Sequence, residues 1–285
     1  MQWLTVLVGL IVIVMLVAVQ VYVARRFRRT VNPGLVAATA LVVVSTWYAT
    51  GAFLSHKHHL VALNDDAYQS VEALVGARAD AYETNAAESR WLLDADFREH
   101  HARTFSEHTA KLTSFATGED FTKLTERVDS RVAMVADQEK RGVDTIVADK
   151  SAIDRYKMQG VDGELVRALD NVTFPDEMKQ ADEAIHAFAT YVARDATLRS
   201  LELAGKHADA VAFEVGMKET DSNFAFYKFD TAIQRWLQTN QDWMEHYRDA
   251  AFADIKGLEG GAPFMAFAIL LCVFIGLRPR IREYA

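Results

Sequence analysis

Three long stretches without one charged side chain constrain this chain more than anything else in it. Residues 3–24 form the first, residues 34–54 the second, and GGAPFMAFAILLCVFIGL, residues 260–277, the third. A helix of 20 residues is about 30 Å long, the thickness of the hydrocarbon core of a bilayer. Lipid offers no partner to a free N–H or C=O, so each run is expected to cross as a helix.

Between the first two runs lies ARRFRRTVNPG, with Arg25, Arg26, Arg28 and Arg29. Arginine and lysine are retained in short cytoplasmic loops, which puts residues 25–33 inside the cell. Arg278, Arg280 and Arg282 put the tail, residues 278–285, on the same side. Two crossings separate these segments, so the two assignments agree. The expected topology is a multi-pass plasma-membrane protein with residues 1–24 as its first span and its N-terminus outside. Residues 55–259 are then extracytoplasmic, and the C-terminus is cytoplasmic. A signal peptide carries its positive charge before the apolar core, whereas here it follows, so the first run reads as an uncleaved span. Asn32 and Pro33 suit the cap and first turn of the second.

The outer segment carries 24 Lys and Arg against 38 Asp and Glu, a formal charge of −14. That excludes nucleic acid as a partner and disfavours lying on an anionic lipid surface. The single cysteine, Cys272, falls in the third apolar run, so no disulfide within the chain holds the outer segment together.

Apolar and small residues at Leu63, Ala67, Val71, Leu74, Ala77 and Ala81 recur in steps of three and four. They predict a long helix to about Leu93 that prolongs the second span. Asp94 or Asp96 is expected to cap a restart carrying Phe97, His101, Phe105, His108, Leu112 and Phe115, ended by Thr117 and Gly118. Further helical patterns run from Asp120 toward Met158, from Pro175 to Gly205, through Lys206–Val215, and from Phe224 toward Ile255. No stretch alternates with period two. The fold class expected is an all-α membrane protein, three transmembrane helices with an extracytoplasmic antiparallel four-helix bundle. Gly257, Gly260, Gly261 and Pro263 interrupt the last pattern, as a plain junction or as a hinge.

Candidate chemistry is sparse. His56 and His59, in HKHH, are the nearest approach to a metal pair, against the alternative of solvated side chains beside the membrane. A pH-sensing role rests on the same histidines. Arg90 and Trp91, in AESRWLL, offer a cation and an indole to a small anion, against a tryptophan in the core with the arginine pointing outward. Trp236 and Trp243 suit the core, with Asn240 and Gln241 between them as polar register-setters. No nucleophile elbow, phosphate-binding glycine loop or zinc-protease signature occurs, so neither catalytic residues nor a cofactor are expected.

Five stretches, taken in order, resemble an actinobacterial membrane sensor family called GlnX. They are RRFRRTVNPGLVAATALVVV (residues 25–44), HLVALNDDAYQSVEALVGARADAYETNAAESRWLL (59–93), LAGKHADAVAFEVG (203–216), FDTAIQRWLQTNQDWM (229–244) and GLRPRIREYA (276–285). The resemblance implies a relay of the occupancy of a lipoprotein that binds acidic amino acids or glutamine to a soluble Ser/Thr kinase. Members have four membrane helices and two outer helical segments. This chain begins at what resembles the second of those helices, so a shortened relative and a C-terminal half are both open.

Only residues 25–33 and 278–285 are expected to reach the cytoplasm, too few to fold into a kinase, cyclase or DNA-binding domain. A noncatalytic sensor or relay with membrane lipid, a solute-binding lipoprotein and other signalling proteins as partners is the first expectation, and self-association stays open. The alternative is a structural or assembly subunit of an envelope complex.

Overall fold

The structure, a computed structural model, describes residues 2–27, 32–113, 125–126, 128–130, 132–133, 162–174 and 176–282. Helix dominates throughout, and no strand occurs among the described residues. The chain divides into two units, Met1–Ala62 with His246–Ala285, and Leu63–Glu245.

The first unit holds the three apolar runs. They lie in α1 (Gln2–Phe27), in α2 (Pro33–Ala62) and in the C-terminal part of α8 (Ser222–Arg282), helices long and apolar enough to cross a membrane. Their side chains turn outward: Leu7, Val14, Val44, Phe267 and Leu270 are all exposed. Such a surface is costly in water and normal against lipid.

The spans bury little, chiefly Val23, Leu35, Ala38 and Val42, and polar and small residues join them at the contacts. Gln20 Nε2 donates to Thr39 Oγ1 at 2.9 Å between α1 and α2. A Cβ on Gly34 would stand 2.6 Å from the Cys272 carbonyl oxygen and from Gly276 Cα, so α2 and α8 cross backbone to backbone. In lipid, where apolar burial gives helices no reason to associate, such close approach is what holds them. Asn32 caps α2 as its sequence suggested: Oδ1 accepts from Gly34 N at 3.1 Å. Its Nδ2 also donates to the Gly276 carbonyl at 2.8 Å.

The second unit opens with a π-helical turn, Leu63–Tyr68, leading straight into α3 (Gln69–Leu93). A short 3₁₀ turn, Ala95–Phe97, precedes α4 (Arg98–Leu112). There follow α5 (Glu164–Asp170), α6 (Glu177–Leu203), α7 (His207–Val215) and the N-terminal part of α8.

Residue pairs give the directions. Along α3, Arg78, Tyr82 and Glu88 meet Asp230, Phe226 and Ser222 of α8, so the two run antiparallel. Along α6, Glu177, Phe188 and Tyr191 meet Asn240, Phe229 and Phe226, again antiparallel to α8. The α4 helix folds back on α3, with His108 Nδ1 donating to Asp80 Oδ1 at 2.5 Å. The core between them holds Leu74, Phe105, Ile185, Phe188, Ile233 and Trp236. Each large apolar side chain so buried contributes about 1.5–3 kcal/mol. Ala77 and Ala81, both fully buried, keep the α3 face flat enough for close packing.

Several details differ from the sequence reading. The glycines and proline of 257–263 do not interrupt α8, which runs through Pro263 as one helix of 61 residues. One proline removes one N–H donor, whereas opening the helix in lipid would strand several backbone groups. The α4 helix stops at Leu112, where Thr113 turns extended, rather than at Thr117–Gly118, which lie outside the described residues. Neither Asp94 nor Asp96 makes a side-chain cap bond. Most of the pattern expected from Asp120 to Met158, and Pro175 itself, also fall outside the described residues. The seven-residue α5 was not anticipated, being too short to show a period.

Candidate functional site

On one side of the second unit, α3, the π turn and α5 enclose an open cleft of about 900 Å³. Its walls are mixed: Tyr68, Glu72, Glu164, Arg167 and Asn171 border it together with Ala73 and Val75.

Local sequence explains why α5 sits there. Leu165, Val166, Ala168 and Leu169 are buried and anchor one face of the helix, which leaves Glu164 and Arg167 toward the cleft. Gly163 precedes it with φ of +137°, a conformation glycine adopts without strain, and a side chain there would also collide with Leu112 and Thr113. At the other end, Asn171 Nδ2 donates to Ser70 Oγ at 2.9 Å and to the Asp66 carbonyl, in the π turn, at 3.2 Å. A π turn shifts its carbonyls out of the usual ladder, and such turns concentrate at functional sites.

The Glu164 carboxylate lies directly on Gly76 of α3, in space any Cβ would fill. Burial, then the neighbouring charge of Asp80, pushes its carboxyl up to about 7, against the pull of Arg167 and Lys111. Oε2 of Glu164 is shut from solvent and has no hydrogen-bond partner among the described residues. Asp80 accepts from His108 at 2.5 Å and from Lys111 Nζ at 3.2 Å.

Two buried polar nodes lie in the core rather than in the cleft. Glu177, with no exposed surface, accepts four N–H bonds: from Thr173 N (2.8 Å) and Phe174 N (3.0 Å) on Oε2, and from Trp236 Nε1 (2.9 Å) and Asn240 Nδ2 (2.8 Å) on Oε1. Burial raises its carboxyl while those four donors oppose the rise. Glu88, equally buried, accepts from Ser222 Oγ at 2.8 Å and is pushed up to about 8, chiefly by burial and then by the charge of Asp195. Burial also raises Asp195, which Arg199 Nε meets at 2.7 Å.

The residues singled out from sequence land as follows. Trp91 is buried, with the guanidinium of Arg199 4.5 Å and that of Arg98 5.2 Å from its ring centroid. Arg90 points away, more than half exposed, with Glu83 at 3.9 Å, so the two do not form one site. His56 Nδ1 donates to the Ala251 carbonyl at 2.7 Å and His59 Nδ1 to Asp254 at 2.9 Å, so each has its own partner on α8. Trp236 is in the core, Trp243 stacks on Phe174 at 4.9 Å, and Asn240 binds Glu177. Arg25 and Arg26 end α1, Arg278 to Arg282 end α8, and Arg28 and Arg29 lie outside the described residues.

The sequence reading missed Glu164, Glu72 and Glu88. It also missed the Asp182–His186 pair at i,i+4, a spacing visible in the sequence. With Asp129 they form the one group of three candidate metal ligands gathered among the described residues, half exposed and paired with one another at 3.0 and 3.3 Å. Set against family models, characterised proteins and solved structures, the chain matches none of them.

Proposed function

We propose that the chain is a noncatalytic membrane sensor or relay. Its polar unit lies outside the cytoplasm as an antiparallel four-helix bundle and takes a small solute, or a solute-loaded binding lipoprotein, as its stimulus. One observation carries this reading: two helical runs, Pro33–Leu93 and Ser222–Pro279, each join a membrane-length apolar segment to a segment of the polar unit without a break. A continuous helix passes rotation or translation along its axis, and shifts of about 1–2 Å suffice in known switches. The cleft borders the π turn on the first of these runs, where a bound solute bears directly on it. The family resemblance suggests a separate Ser/Thr kinase as the cytoplasmic reader of the signal.

The test has two arms. Cysteines introduced at the exposed Phe97 or Leu203 should react with a membrane-impermeant maleimide on intact cells, and one at Arg25 only after permeabilisation. Deleting the gene should abolish the change in kinase-substrate phosphorylation that glutamate, aspartate or glutamine provokes. An unreactive Phe97 or an unchanged response counts against the reading.

A second reading, a structural or assembly subunit, is favoured by one feature. Leu93, Phe97, Leu203, Val215 and Met217 are all more than half exposed, and they occur where α3, α6 and α7 end and α4 and α8 begin. Stoichiometric co-purification with an envelope complex, indifferent to amino acids, would select it.

A further inference from the structure

Away from the cleft, side chains of three kinds of partner converge where the helical residues 128–130 meet α6. Val128 is fully buried in the core and Val132, one turn on, packs against it, which holds Asp129 beside α6. On α6, Ala181 and Ile185 are buried. Asp182 and His186 each follow one of them and, four positions apart, share the neighbouring face. His186 Nε2 stands 3.0 Å from Asp129 Oδ1 and 3.3 Å from Asp182 Oδ1, and the three ligand atoms lie within 4.8 Å of one another.

Hydrogen bonding accounts for only one of these contacts. A ring nitrogen offers one N–H or one lone pair, so Nε2 serves one carboxylate, and it pairs with Asp129. Oδ1 of Asp182 is shut from solvent and makes no hydrogen bond among the described residues. A buried acceptor left without a donor is costly, and a cation shared by all three ligands removes that cost. The spacings fit such an ion. Zinc takes imidazole nitrogen and carboxylate oxygen at about 2.0–2.2 Å, which sets neighbouring ligands roughly 3.0–3.4 Å apart in tetrahedral or octahedral coordination.

We propose that Asp129, Asp182 and His186 bind a divalent first-row transition ion, zinc foremost, which braces residues 128–130 against α6. The two carboxylates balance the charge of the ion. The imidazole selects against calcium and magnesium, which take oxygen ligands. The side chains of His186 and Asp129 are 43 % and 63 % exposed, so water reaches the remaining coordination positions. The ion links residues 57 positions apart, and its binding free energy adds to the stability of the fold. The site shares no residue with the cleft, so it and the stimulus reading stand or fall separately.

Calorimetric titration with zinc tests this, on the full chain in phosphatidylcholine nanodiscs, stripped with EDTA, desalted and free of any polyhistidine tag. One tight, saturable site is expected, with a rise in melting temperature followed by circular dichroism. Losing a mere partner of a ligand already weakens metal binding about 10–100-fold. Asp129→Ala and His186→Ala should therefore bind at least tenfold more weakly and lose the thermal shift. Asp129 is exposed, so its variant keeps the test clear of folding effects. His207→Ala, at an exposed histidine paired with Glu202, should bind as the parent does. Heats equal to those of empty nanodiscs, undiminished affinity in both site variants, or displacement by equimolar magnesium would overturn the proposal.

Discussion

The indole N–H of Trp236 donates a 2.9 Å hydrogen bond to Oε1 of Glu177, and neither side chain reaches solvent. Fifty-nine positions separate them. The bond fixes the register of α6 against α8, since sliding either helix by a turn would leave a carboxylate facing apolar side chains.

Removing that carboxylate orphans four N–H groups at once. Glu177→Ala is expected to destabilise the protein by about 3 kcal/mol or more, because each buried donor left unpaired carries a desolvation cost. Trp236→Phe and Asn240→Ala each remove one donor and should cost less. Denaturant unfolding followed by circular dichroism gives the ranking, and a Glu177→Ala variant as stable as the parent would remove the register role.

Glu88 makes stability depend on pH. Its carboxyl stands at about 8 in the folded protein, against an ordinary value near 4.5, so the folded state holds a proton that the unfolded state has released. Stability is then full below about 4.5 and falls as pH rises toward 8, at about 1.4 kcal/mol per unit of difference as an upper limit. Glu164, Glu177 and Asp195 are raised as well and act in the same direction. Glu88→Gln keeps an acceptor for Ser222 without the charge. Melting temperatures from pH 5 to pH 8 should drop for the parent and drop less for this variant.

The crossing of α2 and α8 supplies a third expectation. Gly34→Leu forces a side chain into the space held by Cys272 and Gly276 backbone, and should cost about 1–3 kcal/mol of stability in micelles. Gly51, in the same helix, has nothing within 4 Å of its absent Cβ, so Gly51→Ala should leave stability unchanged or raise it. Thermal unfolding of both in one detergent checks the contrast.

The features legible in the sequence are those decided within one element. The apolar runs declared themselves because lipid forbids free backbone groups. Asn32 announced its cap because capping chemistry is local, and the alanines and leucines of α3 announced a buried stripe by their spacing. The cleft was illegible for the opposite reason. Glu164 matters because its carboxylate rests on a glycine 88 positions earlier, and neither residue is unusual where it stands in the chain. Glu88 and Glu177 likewise read as two more acids on helix faces until their partners on α8 enclosed them. Arg90 and Trp91 stood out as neighbours, yet adjacent helix positions face different ways, so the tryptophan turned in and the arginine out.

Arg199 unites charge and stacking at the edge of the core. Its guanidinium lies 4.5 Å from the Trp91 centroid and 5.1 Å from that of Phe105, while Nε donates to Asp195 at 2.7 Å. Arg199→Lys keeps a cation for Asp195 but loses the planar face, and should cost about 1 kcal/mol. Arg199→Ala also strands a buried carboxylate, for about 3 kcal/mol in total. Asp195→Asn introduced into Arg199→Ala removes that stranded charge and should restore much of the loss. A double-mutant cycle with Trp91→Leu separates the two contributions, because stacking alone couples Arg199 to residue 91. Additivity of Arg199→Lys and Trp91→Leu would mean that the ring merely fills space beside the ion pair.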